Sequence, residues 1–360
     1  MKPTGAVAAF LALAVIGLGM GGGAKPPTQG VNQSLLMAEQ PAATLQAYRL
    51  FADSQGRVAQ PGMVPYTLNT PLFTDYAQKR RFIYLPPGAR LGYRPQGVLA
   101  FPVGAVLVKT FTYPSDLRKP GVDERTVETR LLIHKPGGWA ALTYVWNAAG
   151  TSAELKRAGA RVPVHFTDLQ GMPRDIDYAV PNVNQCKQCH SIDARLSPIG
   201  PKARNLNGDL DFGAGQENQL AHLTRVGLLE GAPPPGQIPR TAMWNNPAEP
   251  LEGRARAYLD SNCGHCHSRD GFASNSGLYL DLEEQDMSAV GVGKRPVAAG
   301  RASGGLEFSI APGDPDHSII VHRMASTEPG VMMPQLGRSM VHDEGLALVR
   351  DYIAGMARKP

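Results

Sequence analysis

The chain has 360 residues, enough for two or three domains, and its hydrophobic share of 42% excludes a disordered or fibrous protein. With 40 glycines and 31 prolines it should be rich in turns and hold no very long helix. The formal net charge is +5, but the basic residues are scattered and the densest short cluster is Lys79 to Arg81, so nucleic acid is not indicated as a partner.

Residues 1–24 read as an export signal: Lys2, then the apolar run GAVAAFLALAVIGLGM, then the small residues GGGA. An uncleaved membrane anchor is the alternative, and no later segment is apolar for long enough to cross a bilayer. Residues 25–45 are polar and read as a linker. From 46 to 180 the pattern is β. RRFIYLP, GVLAFPVGAVLVKTFTY, RTVETRLLIH and WAALTYVWN are rich in β-branched and aromatic residues, and Leu142, Tyr144 and Trp146 alternate with Ala141, Thr143 and Val145. Thr151–Gly159 reads as a short helix, followed by the strands RVPVHF and DIDYAV. This predicts a compact antiparallel β domain.

Residues 181–249 are loop-rich, with one helix expected over Gln216–Gly231. Residues 250–360 open on a helix, PLEGRARAYLDSN, and close on another, HDEGLALVRDYIAGM, with glycine-rich loops between them. The expected fold class is therefore α+β and multidomain, with a β-rich domain followed by two further segments, the last all-α.

Chemistry concentrates at two places. Cys186, Cys189 and His190 stand in NQCKQCHSI, and Cys263, Cys266 and His267 in SNCGHCHSR. A Cys-x-x-Cys-His stretch can hold zinc, form a redox disulfide or tether a haem. A single four-thiolate zinc site would join cysteine pairs much further apart than the usual spacing of about 15–20 residues, and would leave both histidines coincidental. A thioredoxin-like disulfide does not explain a histidine after each pair. Haem c explains every residue. Two thiols add to the two vinyl groups along one porphyrin edge, and the next imidazole reaches the iron. All four cysteines lie in the two motifs, so none is spare for a disulfide framework. Two haems would also bring roughly four carboxylates against the positive excess.

Met333, in GVMMPQLG, is the expected sixth ligand of the second iron, ahead of its neighbour Met332. For the first iron the choices are His222, on the Gln216–Gly231 helix, Met243, or an open position. His134, His165, His317, His322 and His342 have no local motif and read as structural or solvated. There is no phosphate loop, nucleotide fingerprint, nucleophile elbow or recognisable carboxylate pair.

The segments LFTDYAQKRRFIYLPPG, FPVGAVLVKTF, VNQCKQCHS, RARAYLDSNCGHCH, SGLYLDL and GVMMPQLG, in this order through most of the chain, resemble a family of exported bacterial dihaem c-type cytochromes. The resemblance implies a β-rich region followed by two haem c segments, with Cys186, Cys189 and His190 for one haem and Cys263, Cys266 and His267 for the other. It implies a periplasmic protein, and it associates the chain with an exported β-helix-repeat protein as partner. Residues 250–360 separately resemble a small class I cytochrome c domain, with Tyr258 and Tyr352 where its two helices cross. The expected function is electron transfer between periplasmic redox proteins; the alternative is a dihaem peroxidase-type enzyme with one open iron site.

Overall fold

The computed structural model describes residues 30–193, 195–298 and 300–357; the expected export signal, residues 1–24, lies outside them. At the centre is a six-stranded antiparallel sheet: β1 (Met63–Pro65), β2 (Gln78–Tyr84), β3 (Val106–Tyr113), β4 (Arg125–Lys135), β5 (Gly138–Trp146) and β6 (Ala153–Leu155). Spatial order follows chain order, so the sheet is a meander of hairpins. Gly138, at φ 115°, closes the tight β4–β5 turn with a backbone angle that costs glycine little. A separate hairpin pairs β7 (Ala160–Thr167) with β8 (Pro173–Val180).

Alternation along the strands gives the sheet two unlike faces. Phe82, Tyr84, Val106, Val108, Leu131, Ile133 and Tyr144 point to one side, where Leu36, Leu45, Tyr48 and Leu50 cover them. Each fully buried side chain of this kind stabilises the fold by roughly 1.5–3 kcal/mol. Residues 30–45, expected as part of a linker, thus belong to the folded body and include a short helix, Gln33–Met37. On the opposite face Ile83 and Leu107 pack with Leu206, Leu220 and Leu223, so the segment after residue 181 uses the sheet as its core. Further along that face Phe111, Tyr113 and Val127 pack with Val164, Phe166 and Tyr178 of the separate hairpin.

Two local expectations change. Within Thr151–Gly159 the chain forms strand β6 rather than a helix, because Glu154 and its neighbours complete the sheet edge against β5. The helix expected over Gln216–Gly231 shrinks to Gln219–Arg225, flanked by two short strands.

The expected all-α, cytochrome c-like C-terminal domain is also corrected. Residues 250–357 hold helices at Leu251–Leu259, Met287–Val290, Ile319–Ala325 and Asp343–Ala354, joined by long irregular loops. Val292 bridges Ile310 and Phe308 bridges Ser318, both in parallel. Glycines at positive φ, among them Gly291, Gly293, Gly304 and Gly313, break the intervening chain into turns where helix cannot propagate. Helix is thus a minority, and the protein is β-rich around its six-stranded sheet. The first and last helices of this region do pack together. Gly345 lets Tyr258 lie against the helix backbone, since a Cβ there would sit 2.3 Å from the tyrosine ring.

Candidate cofactor site

The first motif lies on α1 (Val183–His190). Its start is fixed by a capping box: the Asn182 side chain accepts from the Gln185 amide, and the Gln185 side chain accepts from the Asn182 amide, each at 2.9 Å. Helical spacing then puts Cys186, Cys189 and His190 on one face. That face looks into a cleft of roughly 1460 Å³, counting its open mouth, whose far wall is the middle of the sheet. Arg81, Leu107, Lys109, Arg130, Leu132 and Thr143 line it.

The second motif follows the helix Leu251–Leu259 through a wide turn, Asp260–Gly264. Asn262 fixes this turn. Its Oδ1 accepts from the Phe73 amide at 2.8 Å, and its Nδ2 donates to the Tyr258 carbonyl at 2.9 Å. Cys263, Cys266 and His267 open on another cleft, of roughly 1100 Å³, walled by Leu278, Leu280, Ile319, Ile320 and Met324. Met333 lines this cleft too, and Met332 does not.

Both motif histidines are oriented alike. The His190 Nδ1–H donates to the Ser197 carbonyl at 3.0 Å. The His267 Nδ1–H donates to Ser276 Oγ at 3.2 Å, because that hydroxyl spends its own proton on the Ala273 carbonyl. In each ring Nε2 is left with its lone pair, the form that ligates a metal. Burial pushes both imidazoles down to about 4, so they are neutral near pH 7.

The backbone at Met333 is held by buried Arg338. Arg338 is 6% exposed, and its guanidinium donates to the carbonyls of Arg323, Met324, Ser326, Met333 and Met340. The Met333 amide bonds the Arg323 carbonyl at 2.9 Å. Just beyond, Asp75 from the β domain accepts from the Ser339 amide and hydroxyl and from the Met340 amide.

The two motifs meet. Ligand atoms of Cys189, His265 and Cys266 all lie within 4.8 Å of one another, and the Cys266 thiol lies 3.8 Å from the Gln188 carbonyl. The two clefts share Cys189, His265, Pro334 and Leu336 as walls. A hydrogen bond from Cys266 lowers the Cys189 thiol; the same contact, with burial, raises Cys266. Burial raises the other two thiols, Cys263 to about 12. All four cysteines are free. The His265 Nδ1 is buried and has no partner. Two sulfurs and an imidazole so placed could also hold a single soft metal ion.

His222 stands elsewhere. Its ring stacks on Phe212 at 3.5 Å, and its Nδ1 pairs with Glu217 at 2.8 Å. Met243 is 37% exposed, and neither residue lines the cleft at His190. Among the described residues, no methionine lines that cleft, and its only imidazoles are His190 and His265. Sequence reasoning passed over His265, Arg338, Asp75 and the cations of the sheet wall. One signal for the last was present: in RRFIY, alternation places Arg81 on the inward face with Ile83.

Compared with known proteins, the chain matches no protein-family model, no curated protein and no solved structure. No helix among the described residues is long and apolar enough to cross a membrane.

Proposed function

We propose that the chain is an exported dihaem c-type protein that carries electrons between periplasmic redox partners, an exported β-helix-repeat protein among them. The observation that carries this reading is the meeting of two Cys-x-x-Cys-His motifs, each with its own large cleft, at Cys189 and Cys266.

Cys186 and Cys189 would hold one haem and Cys263 and Cys266 the other, with His190 and His267 as proximal ligands. When bound, each haem supplies one-electron exchange between ferric and ferrous iron. The chain does the rest. Ser197 and Ser276 hold the Nδ1 of the two imidazoles, which leaves each Nε2 free to ligate. Met333, held by Arg338 and Arg323, offers a thioether to the second site, which favours a higher potential than a second imidazole would. Leu278, Leu280, Ile319 and Ile320 give the second cleft an apolar wall. Contact between the motifs would make the path between the two centres short.

The pyridine-haemochrome content of the purified protein tests this. Two haems per chain are expected, falling to one in Cys186→Ala and in Cys263→Ala. Unchanged content in either variant overturns the assignment.

Among the described residues the cleft at His190 has no methionine on its wall, and His265 there clusters with Cys189 and Cys266, which favours an open position on the first iron and hence the peroxidase-type alternative. A high-spin ferric signal that peroxide abolishes would support the enzyme over the carrier. The cluster of Cys189, His265 and Cys266 favours a different reading, a single metal ion between the motifs. Stoichiometric zinc without haem would support that one.

A further inference from the structure

The wall of the cleft at His190 is out of charge balance. Arg81, Lys109 and Arg130 are direct cross-strand neighbours, Arg81 opposite Lys109 and Lys109 opposite Arg130. All three line the cleft. Like charges set directly opposite one another destabilise a sheet, and burial worsens this by removing water.

One of the three is compensated. The Arg130 Nε and Nη2 both donate to Glu128, a carboxylate that is fully buried and also accepts from the Tyr178 hydroxyl at 2.9 Å. The neighbouring cations are also provided for. Lys79 donates to the Ala77 carbonyl at 2.9 Å and feels the charge of Asp75. Lys202, on the cleft's rim, lies 3.9 Å from Asp260 and 4.0 Å from Glu283. Arg81 and Lys109 remain. Arg81 is 7% exposed, and its Nη2 has no partner. The Lys109 ammonium lies over the Phe111 ring at 4.8 Å, and among the described residues no carboxylate pairs with it. Glu128 bears on Lys109 electrostatically but is held by Arg130 and Tyr178. Among the described residues, the wall thus holds one buried cation, Arg81, and one half-buried cation, Lys109, with no paired carboxylate.

The direction of the row matters as much as its charge. Arg130 and Thr143 bear on Cys186, at the tether end. Arg81 stands two strands further on, roughly 10 Å by the spacing of sheet neighbours. A haem carries its two carboxylate side groups on the edge away from its vinyl carbons. We infer that Arg81 and Lys109 form a carboxylate-binding wall, and that their ligand is the carboxylate pair of the haem tethered through Cys186 and Cys189. The inference rests on the dihaem reading and adds the orientation of one haem: carboxylates towards strands β2 and β3.

The test uses the full holoprotein and reads both haem potentials by optical redox titration. Lys109→Met and Arg81→Gln remove one charge each; Lys109→Arg and Arg81→Lys keep it. Ferric haem carries one more positive charge than ferrous, so losing a nearby cation favours the ferric form. Each neutral variant should lower one potential and leave the other in place, the unmoved one showing that the fold survives. Each charge-keeping variant should stay near wild type. Loss of one haem in a neutral variant, restored in its charge-keeping partner, supports the inference equally. Two haems with both potentials unmoved in both neutral variants would overturn it. So would a wild-type potential that shifts with added succinate, because a free dicarboxylate would then be the occupant. A haem-free wild type overturns the dihaem reading as well, which separates the two failures.

Discussion

Cys189 and Cys266, from motifs far apart in the chain, sit side by side with the His265 imidazole between the two clefts, their ligand atoms within 4.8 Å. The contact is not a chance meeting of loops. Arg204, from the segment of the first motif, grips Asp260 at the root of the second with two hydrogen bonds of 2.9 and 3.1 Å. Asp75 and Asn262 tie the same region to the β domain. The sheet, the first motif and the second motif therefore form one frame around two adjoining clefts.

His265 separates the haem reading from the single-metal reading. If thioether bonds occupy Cys189 and Cys266, the imidazole between them has no metal to hold. His265→Ala should then leave haem at two per chain, and zinc should be absent before and after the change. Plasma emission spectrometry beside the pyridine-haemochrome assay checks this. Zinc near one per chain in wild type, lost in the variant, would reverse the conclusion.

Arg338 should matter more than any surface arginine. It is buried and serves carbonyls from five residues, so Arg338→Met leaves several acceptors without a donor. A loss of about 3 kcal/mol is expected in urea unfolding. The optical band of thioether ligation should weaken as well, since the backbone at Met333 loses an anchor. A variant as stable as wild type, with the band intact, would contradict this role.

Periodicity made much of the sheet legible. Strands β2, β4, β5, β7 and β8 stand where β-branched and aromatic runs predict them, because one side of each run must be buried. The last region was less legible. Its terminal helices at Leu251–Leu259 and Asp343–Ala354 have the right spacing of apolar residues, but spacing does not reveal how glycines such as Gly291 and Gly313 fold the chain between them. The two motifs stand out in the sequence through six residues. Their meeting at Cys189 and Cys266, and the cations that Arg81 and Lys109 bring from the sheet, arise from long-range packing that no local window contains.

His222 offers a contrasting case. Its ring is spent on Phe212 and its Nδ1 on Glu217, and it does not line the cleft at His190. His222→Ala should cost about 1 kcal/mol through the lost stack and leave both haem spectra unchanged. A change of spin state at one haem would instead return His222 to the list of axial ligands.

The link between the motifs should be sensitive to acid, and the sign follows from Asp260. Burial alone would raise this carboxyl, but Lys202 and Arg204, with the hydrogen bonds from Arg204 and the Leu282 amide, outweigh it and hold the group below its ordinary 3.8. A carboxylate depressed in the folded state stabilises the fold above its unfolded value, and that contribution is lost as pH falls through the folded one. At neutral pH, Asp260→Asn should therefore cost about 3 kcal/mol, since Arg204 keeps only Glu283 as a charged partner. Going from about pH 7 to about pH 3, the gap between wild-type and variant Tm should hold steady and then close below the ordinary carboxylate range. Differential scanning calorimetry across that range checks it. A gap that stays constant to the lowest pH, or widens there, would mean that Asp260 does not carry the charge joining the two motifs.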